Sequence, residues 1–302
     1  MKVKNKKELF EWDIHSSVRA RPYEYLLTHD DLNNDLFPRD MLGYFNSTDI
    51  SALPPESQII LLGCHLVDFL DYTVDLEHNI VNPALYNIAT SKTFSGVSES
   101  LRARALQFYT DEGYHAYFSH RIASEVREKL AIPKYSQPSL RIKKLKKICA
   151  PPESTTHQKD IICFLKAFAS ETLISKELSK IQSHPLSKPI QIMLNDHSFD
   201  EARHCDLFCK IFTHINTKFC LAPHIPTLID ILDVFFKIDK DNLEFRLSLA
   251  GIEKNKIHNL LESSQILLSS RKKDRCTTPI RLLKKLGLFW EWEQSFIDRG
   301  YI

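Results

Sequence analysis

Apolar residues recur every three or four positions over four long stretches, at about 56–89, 97–130, 153–182 and 189–215. That spacing lays one apolar stripe along an α-helix and is wrong for a strand. The first stretch opens just after Pro54-Pro55 and the second stops before Pro133, where proline ends a helix naturally. Four helices near 30 residues long would each reach roughly 45 Å, which suits a bundle holding a site midway along its axis. Shorter helical patterns follow at 225–238, 254–269, 279–286 and 288–298. The sequence therefore predicts an all-α fold: one helical domain over 1–302, its core bundle at about 56–215. Residues 1–55 are weakly patterned and read as a cap of short elements, and 216–302 as additional peripheral helices.

Composition narrows the function classes. A formal charge of +2 gives no reason to expect nucleic acid as a partner. The most apolar stretch, Ile59 to Leu70, is interrupted by Gly63, His65 and Asp68 and is too short to span a bilayer. Lysine-rich residues 1–8 are not followed by a signal core. Seven scattered cysteines, without a CxxC pair, read as reduced thiols of a cytoplasmic protein, and Cys205 and Cys209, one helical turn apart, read as core or surface residues. The basic run Arg141 to Lys147 lies in an irregular stretch and reads as a solvated helical face or loop.

The candidate chemistry lies in a repeat. Asp111-Glu-Gly-Tyr-His115 and Asp200-Glu-Ala-Arg-His204 each contain Glu-x-x-His, which puts a carboxylate and an imidazole on one helix face. One such motif arises readily by chance. Here, however, each is preceded by another long helix with a mid-helix glutamate, Glu77 lying 35 residues before Glu112 and Glu171 lying 30 before Glu201. Glu, then Glu-x-x-His, repeated, is the pattern of ferritin-like di-iron and di-manganese bundles. Four glutamates would neutralise two Fe(II) ions where net charge is costly, and neutral imidazoles complete the coordination. His197 joins Glu201 and His204 on one stripe at i, i+4, i+7, a third histidine beyond the usual two. Asp111 and Asp200 are each expected to accept a hydrogen bond from a ligand histidine and fix its tautomer. A lone buried Glu or His is usually a paired structural group. The whole set resists that reading, because unpaired buried carboxylates are destabilising.

On these residues the chain resembles the AurF-like di-iron N-oxygenases, whose ferritin-like core carries four glutamates and three histidines. Glu77, Glu112, His115, Glu171, His197, Glu201 and His204 match that set in type and order. The resemblance covers about 56–215 and implies two iron ions per chain with O2 as co-substrate. It further implies oxygen transfer to a small amine, through hydroxylamine and nitroso towards nitro. Electrons would come from an external reductase or ferredoxin, since the chain shows neither GxGxxG nor a cysteine cluster.

Substrate identity is less legible. An anionic arylamine needs a cationic anchor, and the turn before Glu77 offers Tyr72 and Thr73 with no arginine. Arg203 reads either as a support for the motif or as a surface group. Tyr109, Tyr114 and Tyr117, and Trp290 and Trp292, read as packing more readily than as pocket. Competing functions keep the metal but change the reaction, to hydroxylation, desaturation or oxidative C–C cleavage of an amino acid or acyl chain. Iron storage and a metal-free scaffold of ion pairs rank below these, and an extended helical fold is compatible with a homodimer.

Overall fold

The computed structural model describes residues 12–20 and 23–302; the lysine-rich run 1–8 lies outside them. Among the described residues all regular structure is helical. Four long helices form the frame: α1 (Pro55–Leu76), α3 (Glu99–Leu130), α5 (Thr156–Ile181) and α6 (Lys188–Phe219). A π-helical turn, Glu77–Val81, joins α1 to α2 (Asn82–Thr90). Between α3 and α5 lies α4 (Leu140–Lys147). After α6 come α7 (Ile225–Val234), α8 (Lys240–Leu249), α9 (Lys254–Ser270), α10 (Thr277–Lys285) and α11 (Glu293–Asp298).

Local chemistry sets the helix ends. Pro55 and Pro189 occupy first-turn positions, where a missing N–H costs nothing. Ser98 caps α3 by accepting from the Leu101 amide, and Thr155 with Gln158 forms a reciprocal capping box at α5. Helix α3 stops at Ala131, which adopts a left-handed conformation (φ 51°) just before Pro133.

The frame pairs α1 with α3 and α5 with α6, and the two pairs meet through α3 against α6 and α2 against α5. A continuous buried apolar cluster runs from Tyr25 to Tyr301. The single helical turn Ser17–Ala20 lies against α3 and α6. On the opposite flank α8 packs on α1, while α7, α10 and the turn Lys272–Arg275 pack on α5. The bundle is thus covered by N-terminal residues on one side and C-terminal residues on the other.

Two expectations change and a third is narrowed. The stretch 56–89 is not one uninterrupted α-helix, because the hydrogen-bond register widens at Glu77–Val81. Of the two readings of the basic run the helical one holds, with Ile142 and Leu145 buried on one face of α4. Helix α8 was not predicted, since its buried face mixes Leu243 and Leu247 with Asn242 and Arg246 and so breaks the apolar stripe.

Candidate metal centre

The seven residues Glu77, Glu112, His115, Glu171, His197, Glu201 and His204 lie together in the bundle core, each fully buried. Their side-chain donors form three overlapping groups, each with its atoms within 4.8 Å of one another: Glu112, His115, Glu201 and His204; Glu77, His197 and Glu201; Glu77, Glu112 and Glu171. Glu77 opens the π-helical turn, a local geometry that recurs at functional sites because it re-aims a side chain. The other six come from regular helix, two from α3, one from α5 and three from α6.

Both glutamates of the Glu-x-x-His motifs face both of their histidines. Nδ1 of His115 lies 2.9 Å from Glu112 Oε2 and 3.4 Å from Glu201 Oε1. Nδ1 of His204 lies 2.7 Å from Glu112 Oε1 and 3.5 Å from Glu201 Oε1. His197 Nε2 is 3.2 Å from the same Glu201 oxygen.

The outer nitrogens cross over. His115 Nε2 lies 3.2 Å from Asp200 Oδ2, and His204 Nε2 lies 3.2 Å from Asp111 Oδ2. Each aspartate thus serves the histidine of the other motif, a pairing that proximity in sequence does not suggest. A carboxylate accepts, so each aspartate favours a proton on the Nε2 that it faces, while Nδ1 is turned inward to the glutamates. Behind the aspartates, the Trp12 indole N–H donates to Asp111 at 2.9 Å and the Ser16 hydroxyl at 2.6 Å. The Ser17 amide donates to Asp200 at 3.2 Å, and Arg203 forms an ion pair with it. These partners went unread because 12–17 carries no periodic pattern; Arg203 proves to support the motif.

Electrostatics divides the set. Burial, followed by repulsion from Glu112, Glu171 and Glu201, drives the Glu77 carboxyl well above its ordinary range. Burial and then Glu201 and Glu112 do the same to Glu171. Burial pushes Glu201 up as well, but His204, His115 and His197 outweigh it and hold the carboxylate well below its ordinary range. Burial opposes charge on His115 and His204, yet the carboxylates around each raise it well above an ordinary imidazole. Burial and the neighbouring His115 lower His197.

Aromatic rings dry the imidazole side. Phe108 lies 4.3 Å from the His204 ring, and Phe118 lies 5.4 Å and 5.6 Å from those of His115 and His197. Of the tyrosines beside the motif, Tyr109 and Tyr117 are largely exposed, while Tyr114 is half-buried against Phe118. Trp292 packs on the core as predicted, but Trp290 is 60% exposed. All seven cysteines are unpaired.

The α1–α5 side is hollow. A cavity is lined by Tyr72, Leu76, Ser170, Leu173 and Arg275, and Leu76 and Ser170 directly precede Glu77 and Glu171 in the sequence. It shares Phe69, Tyr72, Arg141 and Glu177 with an outer chamber of about 180 Å³. Among the described residues no helix is long and apolar enough to cross a membrane.

Residues 28–219 match the model of a protein family described as the p-aminobenzoate N-oxygenase AurF. No curated protein matches the chain.

Proposed function

Because the chain belongs to the AurF p-aminobenzoate N-oxygenase family, and is therefore an oxygenase, we propose that it uses O2 and two iron ions to oxidise the nitrogen of a small amine. Glu77, Glu112, His115, Glu171, His197, Glu201 and His204 would hold the metal. The observation that carries this reading is Glu77: both of its oxygens are buried and accept no hydrogen bond, among three further glutamates. Leaving a carboxylate so placed is strongly unfavourable unless a cation balances it. A mixed carboxylate–imidazole donor set is what iron favours over softer or purely oxygen-bound alternatives.

When bound, iron would supply the site and the electrons for O2 activation. The chain does the rest. Asp111 and Asp200 hold the Nε2 protons of His204 and His115 and keep each Nδ1 directed inward. Phe108 and Phe118 exclude water from the imidazole side. The cavity lined by Leu76 and Ser170 would admit the substrate. An external reductase or ferredoxin would return the metal to its reduced state.

The test is anaerobic reconstitution of purified protein with Fe(II), metal analysis, then a single turnover with O2 and candidate arylamines followed by mass spectrometry. About two irons per chain and an oxygenated amine are expected. Folded protein that takes up no stoichiometric iron would overturn the reading.

A further inference from the structure

Between positions 134 and 152 the chain has six basic residues and no acid, on a protein whose formal charge is only +2. Folding does not disperse this charge. Helix α4 turns Ile142 and Leu145 into the core and leaves Lys143, Lys146 and Lys147 exposed. Lys237, just after α7, is exposed close to Lys144. Among the described residues none of these five lysines forms an ion pair, whereas Arg127, Arg203, Arg246 and Arg299 each meet a carboxylate. Asp239, the acid that Lys144 feels, is already engaged in accepting from the Leu140 and Asn242 amides. Burial, and after it the neighbouring Lys237, lowers the Lys144 ammonium, as crowded positive charge does.

This surface is tied to the scaffold of the candidate centre. Helix α4 packs on α1 and α7, and Lys146 Nζ donates to Asn79 Oδ1 at 2.8 Å. Asn79 belongs to the π-helical turn Glu77–Val81, two residues beyond Glu77, and His78 between them is exposed. Exposed positive charge therefore lies within one helical turn of a core carboxylate. On the histidine side, by contrast, Trp12, Ser16 and Ser17 cover the aspartates. Helix α4 is eight residues long, about 12 Å, a size suited to the small interfaces of transient redox encounters. Its apolar residues point inward, so the face offers charge without an apolar anchor for a membrane.

We propose that Lys143, Lys146, Lys147 and Lys237 form the docking surface for the electron donor, an acidic iron–sulfur protein of the ferredoxin type, above the π-helical turn that holds Glu77. The need for a donor rests on the amine-oxygenase reading; the surface itself rests on the unpaired charge and the Lys146–Asn79 bond. Each encounter passes one electron from the donor's cluster, which is oxidised, to one Fe(III). Two encounters restore both ions to Fe(II), and no bond is made or broken. Opposite charges steer the encounter, and salt weakens the attraction. A small polar contact then lets the spent donor leave.

The test uses iron-reconstituted full-length protein, with an acidic plant-type two-iron ferredoxin as the probe. Calorimetric titration should show binding at about 0.05 M salt that weakens about tenfold by about 0.3 M. Joint Lys143→Glu and Lys147→Glu, at two exposed residues without ion pairs, should weaken binding about tenfold or more, and joint Lys143→Arg and Lys147→Arg should preserve it. Lys188→Glu with Lys210→Glu, the same change of net charge placed on α6, should stay within about twofold of wild type. In anaerobic stopped flow the α4 reversal should slow reduction of the iron by ferredoxin. Reduced methyl viologen, which needs no docking, should reduce it at the wild-type rate or faster. Ferredoxin binding that is absent, insensitive to salt, or equal in reversed and wild-type protein overturns the surface. A reversal that spares ferredoxin and abolishes binding to phosphatidylserine vesicles also overturns it, and assigns the lysines to a membrane. Iron content of the same samples separates the two claims. A full complement of iron with docking unchanged by reversal sinks the surface alone, whereas docking lost on reversal in protein that takes up no iron upholds the surface and sinks the oxygenase reading.

Discussion

The two halves of the centre, α1 with α3 and α5 with α6, use the same motif and differ in how they support it. In both, Glu-x-x-His on a long helix sends Nδ1 inward and Nε2 to an aspartate across the bundle. The first half delivers its lone glutamate, Glu77, from a π-helical turn, whereas Glu171 sits in regular helix. The second half adds His197. Asp111 is held by two side chains, Trp12 and Ser16, while Asp200 is held by a backbone amide and by Arg203. A repeated sequence therefore does not give equivalent environments, and on the proposed reading one metal position is richer in nitrogen than the other.

The strongest way to break this comparison is Glu201→Ala. Glu201 belongs to two of the three donor groups and lies near all three histidines. Metal analysis should fall from about two irons per chain to less than one; retention of both would remove Glu201 from the ligand set. Next comes His197→Gln, which should weaken one iron selectively and leave a two-phase Fe(II) titration. A uniform shift of both phases would mean that the halves are equivalent after all. Asp111→Asn and Asp200→Asn should each lower iron affinity by about 10–100-fold, with Asp200→Asn the larger because it also strands Arg203. Competition with a chelator reads the difference, and wild-type affinity in either variant would show that its crosswise bond carries no load.

The smallest effect concerns the metal-free protein. Glu77 and Glu171 have carboxyls raised well above their ordinary range by burial and by one another's neighbours. An acid of this kind ionises more readily unfolded than folded, so stability is full below the unfolded carboxylate range and is lost as pH rises towards the folded value. Glu77 and Glu171 therefore take stability away from the metal-free protein as pH rises from about 4, against the opposite contribution of Glu201, and Glu77→Gln should shift the pH slope of its melting temperature upward and add about 1–3 kcal/mol near neutrality. Calorimetric scans across pH check this, and an unchanged slope would mean that Glu77 is balanced by a group other than metal.

Much of this was legible in the chain because it depends on helical periodicity. Matched mid-helix glutamates and two Glu-x-x-His motifs specify which faces meet, and His197 falls on the same stripe as Glu201 and His204. The crosswise pairing of Asp111 with His204 was not legible, since nothing local distinguishes it from pairing within one motif. The π-helical turn was also hidden, because one widened turn leaves the apolar pattern almost intact. Arginine near Tyr72 was missed for a third reason: Arg141, Arg271 and Arg275 come from segments far along the chain and meet only through packing on α1 and α5.

The crossed aspartates make the two motifs hostages of each other. A change that is harmless within one repeat, such as a shift in the angle of its helix, is felt first by the imidazole of the other. Neither repeat can then drift alone, and surviving variants should alter both together. The same crossing would be satisfied automatically if two copies of a single ancestral half associated about a twofold axis.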